Sequence, residues 1–235
     1  MTEQEWLECD DIRALLGYLV GRTSNRKFRL FGCACCRRIW PLLVEERWRK
    51  PVALAEWYAD GLATAEELEA ARQEMRWCLT ETVLQPRSAA VDPWILTACS
   101  WAFGAAEAVL FETPFWNPGA ASRGAANAAW AAAEAAWRGN RGTGPEPEAR
   151  QQQPVLRDIF ENPYRPGWVE AAWLTPQVIA LAGTIYEERT FEDLPVLADT
   201  LEEGGCDNQN ILNHLREAGP HVRGCWAIDL LLGRE

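Results

Sequence analysis

Both histidines of this 235-residue chain, His214 and His221, lie near two of its eight cysteines, Cys206 and Cys225. Zinc takes four nitrogen or sulfur ligands in a tetrahedron. Two such pairs carried by neighbouring short helices make Cys206, His214, His221 and Cys225 the candidate metal ligands, with zinc as the candidate cofactor. The spacing is wider than in common finger motifs, where the members of one ligand pair stand about two to four residues apart. Buried free cysteine is also an ordinary core residue, and that reading stands beside the metal one. His221, Cys225 and Asp229 recur every four residues, which on a helix places them on one face. A cysteine beside a histidine that a carboxylate orients is the arrangement of an activated thiolate. Along one helical ridge the three groups stack rather than converge, so a half-buried helix with satisfied polar atoms is the expectation and no residue is assigned a catalytic role.

Three further clusters bear on chemistry. Cys33-Ala34-Cys35-Cys36 holds a Cys-x-x-Cys pair of the redox or metal-binding type. Cys35 falls at the centre of an apolar stripe and reads as core, with Cys33 and Cys36 together on its flank. Glu187, Glu188, Glu192, Asp193, Asp199, Glu202 and Glu203 form an acidic group with no Glu-x-x-His or other ligand signature, the pattern of a solvated helical face. Between Ile12 and Val44 stand seven basic residues and no acidic one. Within that run Arg26, Lys27, Arg29, Arg37 and Arg38 form a candidate phosphate or partner patch, or the counterpart of acidic helices in the same fold. A glycine-rich phosphate loop, a Gly-x-Ser-x-Gly elbow and a dinucleotide fingerprint are all absent from the sequence.

Composition sets the bounds for these sites. With 48% hydrophobic and 24% charged residues the chain falls in the ordinary globular range. A net charge of −11 opposes general affinity for nucleic acid, which needs Lys and Arg in excess at the contact surface, and leaves the basic segment 22–38 as the one place for such binding. Thirteen tryptophans predict either aromatic anchors in the core or an aromatic-rich protein interface. The acidic start, Met1-Thr2-Glu3-Gln4-Glu5, lacks the basic flank and apolar run of a secretory signal, which predicts a cytoplasmic protein with reduced cysteines. No segment approaches the roughly 18 apolar residues of a spanning helix, so no membrane partner is expected.

The elements that must position these groups are helical from end to end, about ten helices by their caps and periodicity. Asp10 or Asp11 caps a first helix running to about Val20. Ser24 caps a second, on which Phe28, Phe31, Cys35, Ile39 and Leu42 form one stripe, with a kink or end at Pro41. Pro51 suits the first turn of a third helix holding Leu54, Trp57 and Tyr58. Thr64 and Glu67 form a capping box for a helix with Leu68, Met75, Leu79 and Val83 on one face. Asp92-Pro93 and Asn117-Pro118 each begin another. The second of these contains eleven alanines, which admit a close neighbour while Trp130 and Trp137 fill the gaps.

Residues 139–153, rich in Gly, Pro and polar side chains, read as a flexible linker. It divides an N-terminal helical lobe, 1–138, from a C-terminal one, 154–235, that packs against it. A short helix at Leu156–Phe160, one capped by Thr175, and helices at Leu194–Glu203, Asn208–Arg216 and Pro220–Leu232 follow, the last ending at Gly233. No run shows sustained period-2 alternation, so the fold is expected to be all-α, an irregular multi-helix bundle.

The stretches Arg26-Lys27-Phe28-Arg29-Leu30-Phe31-Gly32-Cys33-Ala34-Cys35-Cys36-Arg37-Arg38-Ile39-Trp40 and Gly219-Pro220-His221-Val222-Arg223-Gly224-Cys225-Trp226 resemble a highly paralogous family of bacterial proteins without an assigned activity. The likeness covers most of the chain, including an Ala/Trp-rich middle. Members of that family carry cysteine after the first histidine, where this chain has Leu215. Leu194 to Gly205 is similar to a short bacterial repeat-companion module, a likeness that implies an interaction module rather than an enzyme. The combined expectation is a non-catalytic helical protein–protein interaction or scaffolding module. A cysteine- or zinc-dependent site around His221 and Cys225 is the alternative, and phosphate or nucleic-acid binding through the basic segment is the second.

Overall fold

Side chains that accept hydrogen bonds from the first free backbone N–H groups start several of the helices. Asp11 accepts from the N–H groups of Arg13 and Ala14 and opens Ile12–Leu19. Ser24 caps Asn25–Arg38, Thr175 caps Pro176–Glu188 and Asn208 caps Gln209–Arg216. Thr64 and Glu67 satisfy each other's N–H groups, at 2.8 and 3.2 Å, at the start of Ala65–Leu84.

The computed structural model describes residues 1–84, 120–140 and 146–234. These residues hold eleven α-helices and no strand: α1 Glu3–Glu8, α2 Ile12–Leu19, α3 Asn25–Arg38, α4 Glu46–Ala59, α5 Ala65–Leu84, α6 Ala120–Asn140, α7 Glu146–Ile159, α8 Pro176–Glu188, α9 Leu194–Glu203, α10 Gln209–Arg216 and α11 Trp226–Leu232. The all-α expectation is met. None of the described helices is long and apolar enough to cross a membrane. The caps expected at Asp92 and Asn117 lie outside the described residues.

The described residues divide into two compact units, one from Glu8 to Gln153 together with Met1, the other made of Thr2–Leu7 and the chain from Pro154 onward. In the first unit, α3 packs against α4 and α6. Phe28, Phe31, Cys35 and Ile39 are buried on the expected stripe. Pro41 ends the helix by way of a 3₁₀ turn at Trp40–Leu42, and this change of pitch buries Leu43 and leaves Leu42 half-buried. Pro51 lies inside α4 rather than in its first turn. Burial of Trp48 favours the earlier start, and Arg49 donates back to the carbonyls of Leu43 and Trp40.

The alanine pattern of α6 does what small residues permit: Ala128, Ala132 and Ala135 are fully buried. The indoles do not fill the gaps. Trp130 is exposed and Trp137 half-buried beside Arg138, because backbones this close leave no room between them for an indole. Residues 146–153, expected within a flexible linker, are instead the first turns of α7. Contacts that composition does not display hold them: Glu148 pairs with Arg38, and buried Gln152 donates to the carbonyl of Ala129 at 2.9 Å.

In the second unit, α8 and α10 both pack against α9, and α11 packs against α8. Ile185, Tyr186, Leu197, Leu201, Leu212 and Ile228 are among the fully buried members of its core. α11 is shorter than the expected Pro220–Leu232. Gly224 takes a left-handed φ of 95°, and the N–H of Cys225 closes a turn on the carbonyl of Val222, so the helix cannot begin before Trp226. Thr2–Leu7, placed with the N-terminal lobe by position alone, belongs here.

Close packing on alanine makes α6 sensitive to added volume. Ala132→Leu is expected to lower stability by about 1–3 kcal/mol in urea denaturation. Trp130→Leu, on the exposed side, should stay within about 0.5 kcal/mol.

Candidate metal centre

Three elements of the second unit deliver four donor side chains to one point. Asp158 comes from the last turn of α7, His214 from the last turn of α10, His221 from the turn before α11, and Cys225 from the residue that precedes α11. Their donor atoms all lie within 4.8 Å of one another. Among the described residues this is the group whose His, Cys and carboxylate atoms converge.

The four groups are mostly shielded from water, with Cys225 fully buried and Asp158 exposed by 4%. His221 Nδ1 stands 2.7 Å from Asp158 Oδ1, and His214 Nε2 stands 3.2 Å from the same oxygen. Cys225 Sγ lies 3.2 Å from that same His214 nitrogen. The outer atoms are fixed by backbone. Asp158 Oδ2 accepts from the N–H of Val222 at 2.9 Å, and His221 Nε2 lies 3.0 Å from the carbonyl of Glu217, where it donates. The two imidazoles meet edge to face at 5.0 Å, and the Trp226 indole lies 4.8 Å from the His214 ring.

Electrostatics follow from this enclosure. Burial alone would lift the Asp158 pKa, but the hydrogen bonds and positive charge of His214 and His221 hold it below the ordinary carboxylate range. Burial disfavours the His221 imidazolium; the hydrogen bond and charge of Asp158, with the Glu217 carbonyl, nevertheless raise its pKa. Burial and the Asp158 charge push the Cys225 thiol well up, while the N–H groups of Ile228 and Ala227 act in the opposite sense.

This arrangement differs from that of an activated thiolate. In a Cys-His-Asp relay the carboxylate orients the imidazole through one nitrogen while the other meets the thiol. Here Asp158 and Cys225 meet the same nitrogen of His214. An imidazole nitrogen offers one proton or one lone pair, so it cannot serve both partners fully. A cation at the centre would resolve the conflict, because each of the four groups has a lone pair to offer it. Zinc bonds of about 2.0–2.3 Å require tetrahedral edges of about 3.3–3.8 Å. The 2.7–3.2 Å contacts would open by several tenths of an ångström, and the wider separations, up to 4.8 Å, would close.

The donor set also fits by charge. Asp158 and Cys225 as anions neutralise a divalent ion, which avoids burying net charge. The supporting bonds fit as well: a proton on His221 Nε2, given to the Glu217 carbonyl, leaves Nδ1 free as ligand, and Val222 leaves Oδ1 of Asp158 free.

Of the four residues expected from sequence, His214, His221 and Cys225 come together and Cys206 does not. Cys206 is buried directly after Gly205, whose φ of 93° turns the chain out of α9, and its N–H bonds to the carbonyl of Leu201. Asp158 takes its place. The available signal was a lone carboxylate among the apolar positions Val155, Leu156, Ile159 and Phe160, all of them buried. His221 does not share a helical ridge with Cys225 and Asp229, since it precedes the helix, whereas the Asp229 N–H bonds to the Cys225 carbonyl one turn back.

The other clusters have local roles. Cys33, Cys35 and Cys36 are fully buried, and burial raises all three thiols well above their ordinary range. The acidic residues from Glu187 to Glu203 are exposed, and Asp199 and Glu202 pair with Arg216. In the basic segment, Arg26 pairs with Asp60, Arg37 with buried Glu56 and Arg38 with Glu148. Arg29 lies over the Tyr58 ring, and Lys27 and Arg29 are themselves buried.

Two measurements test this description. In metal-free protein the raised His221 pKa gives stabilisation that is complete below the ordinary histidine value, about 6.5, and is lost as pH rises through the raised one. The lowered Asp158 pKa gives stabilisation complete above about 3.9 and lost as pH falls through the lowered value. Chelator-treated protein should therefore draw most from this cluster between about pH 4 and 6.5, as read by urea denaturation against pH. In thiol labelling of the native protein at neutral pH, half-buried Cys9 should react while Cys225 does not, a result that peptide mass spectrometry reports; fast labelling of Cys225 would restore the nucleophile reading.

No protein-family model, curated protein or solved structure matches this chain.

Proposed function

We propose that this chain is a non-catalytic helical module whose C-terminal unit is held together by a structural zinc ion at Asp158, His214, His221 and Cys225, and that it acts by binding another protein. The observation that carries the metal assignment is the convergence of four donors on one centre, with two of them aligned from behind by backbone groups. Four protein ligands complete a zinc tetrahedron and leave no position for a substrate or an attacking water, which favours a structural role over a catalytic one. A site of this kind stabilises a small helical unit because the ligands assemble only in the folded state.

The interaction half of the reading is supported by aromatic side chains that the fold leaves exposed, including Trp57, Trp77 and Trp168, since tryptophan is enriched where protein partners bind. The basic segment gives less support to a phosphate site, because Arg26, Arg37 and Arg38 are each committed to a carboxylate of the same chain.

Elemental mass spectrometry of tag-free protein tests the metal. About one zinc per chain is expected, falling below about a tenth in Cys225→Ala and Asp158→Ala and unchanged in Cys206→Ala. Zinc loading should also reverse the pH trend: stability rises from about pH 5.5 to 7.5, because acid protonates the ligands and releases the ion. Protein that binds no zinc on purification or reconstitution, or that keeps it in Cys225→Ala and Asp158→Ala, contradicts the reading.

A further inference from the structure

The first helix docks on the same short segment that supplies Asp158. Arg157, its neighbour in the last turn of α7, donates from Nη1 to the carbonyl of Trp6 and from Nη2 to that of Leu7, both at 3.0 Å. Those carbonyls lie in the last turn of α1, where a helix offers its carbonyls to outside donors. Asn162 Nδ2 and Arg165 Nε both reach Glu3 Oε1, at 3.0 and 2.6 Å. Trp6, the buried residue of α1, is exposed by 1%.

We infer that metal binding at Asp158 and docking of α1 are coupled, so that residues 2–7 form a strap that closes on residues 157–165 when the ion is held and loosens when it is lost. The inference rests on the metal assignment above and extends it to the regulation of that site. Successive side chains on a helix diverge by about 100°, so Asp158 faces the cluster while Arg157 faces α1. Both occupy a helix end, which frays unless something fixes it. The ion fixes that end through Asp158. Without it, the carboxylate keeps its hydrogen bonds to the two imidazoles and to the Val222 N–H.

Six residues make too short a helix to persist undocked, so α1 depends on a well-placed Arg157. By thermodynamic linkage the effect runs both ways: what loosens α1 also weakens the metal site, by about fivefold or more if the coupling is of ordinary size.

The test is hydrogen–deuterium exchange of the full chain with zinc and after chelation, with zinc affinity measured by competition against a chromogenic chelator. On zinc removal, exchange should rise at residues 2–7 and 209–226 while α8 and α9 keep their protection. Arg157→Ala should free residues 2–7 in the presence of zinc and weaken zinc binding about fivefold or more, with Arg157→Lys recovering part of both. Unchanged exchange at 2–7 on zinc removal, or a rise there only in step with α8 and α9 as the unit unfolds, overturns the strap and leaves the metal site standing. A protein that takes up no zinc overturns both.

Discussion

A carboxylate almost removed from water, Asp158, is the constraint around which the C-terminal unit is arranged. Buried charge is tolerated only with compensating partners. Here one oxygen faces two imidazoles and the other accepts a backbone N–H. That backbone bond commits Val222 to a turn rather than to a helix. The turn sets His221 and Cys225 on the same side, and α11 begins only after them. A local departure from helical geometry is thus tied to the position of a single side chain more than fifty residues earlier in the chain.

The N-terminal unit meets the same problem differently. There Arg26, Arg37 and Arg38 each meet a carboxylate of the same unit, with Asp60 and Glu56 shielded beneath Arg26 and Arg37. The pairs of Arg26 and Arg37 are structural ties between α3 and the end or face of α4. In the C-terminal cluster, Asp158 Oδ1 meets both imidazoles and His214 Nε2 meets both the carboxylate and the Cys225 sulfur.

Local signals were readable from the sequence wherever a side chain acts within three or four residues of itself. The caps at Asp11, one of two aspartates offered there, at Ser24 and at Thr175 and the box at Thr64 and Glu67 are of this type, as is the buried stripe of α3. His214, His221 and Cys225 were also readable, as scarce residue types gathered in one region. Asp158 was not, because it looks like one of many acidic residues until tertiary packing buries it. Cys206 lies outside the converging group for the converse reason: sequence proximity to the cluster could not reveal that Gly205 turns the chain away. The helical start of α7 was hidden by a polar, proline-containing composition, since the contacts of Glu148 and Gln152 are made with distant helices.

A mixed donor set of one sulfur, two nitrogens and one oxygen has a recognisable spectroscopic signature. X-ray absorption at the zinc edge, on tag-free protein, tests the central claim most directly. Four-coordinate zinc is predicted, with one sulfur near 2.3 Å and three nitrogen or oxygen neighbours at about 2.0–2.2 Å. A six-coordinate shell of light atoms, or a zinc-bound protein with no sulfur neighbour, would contradict it.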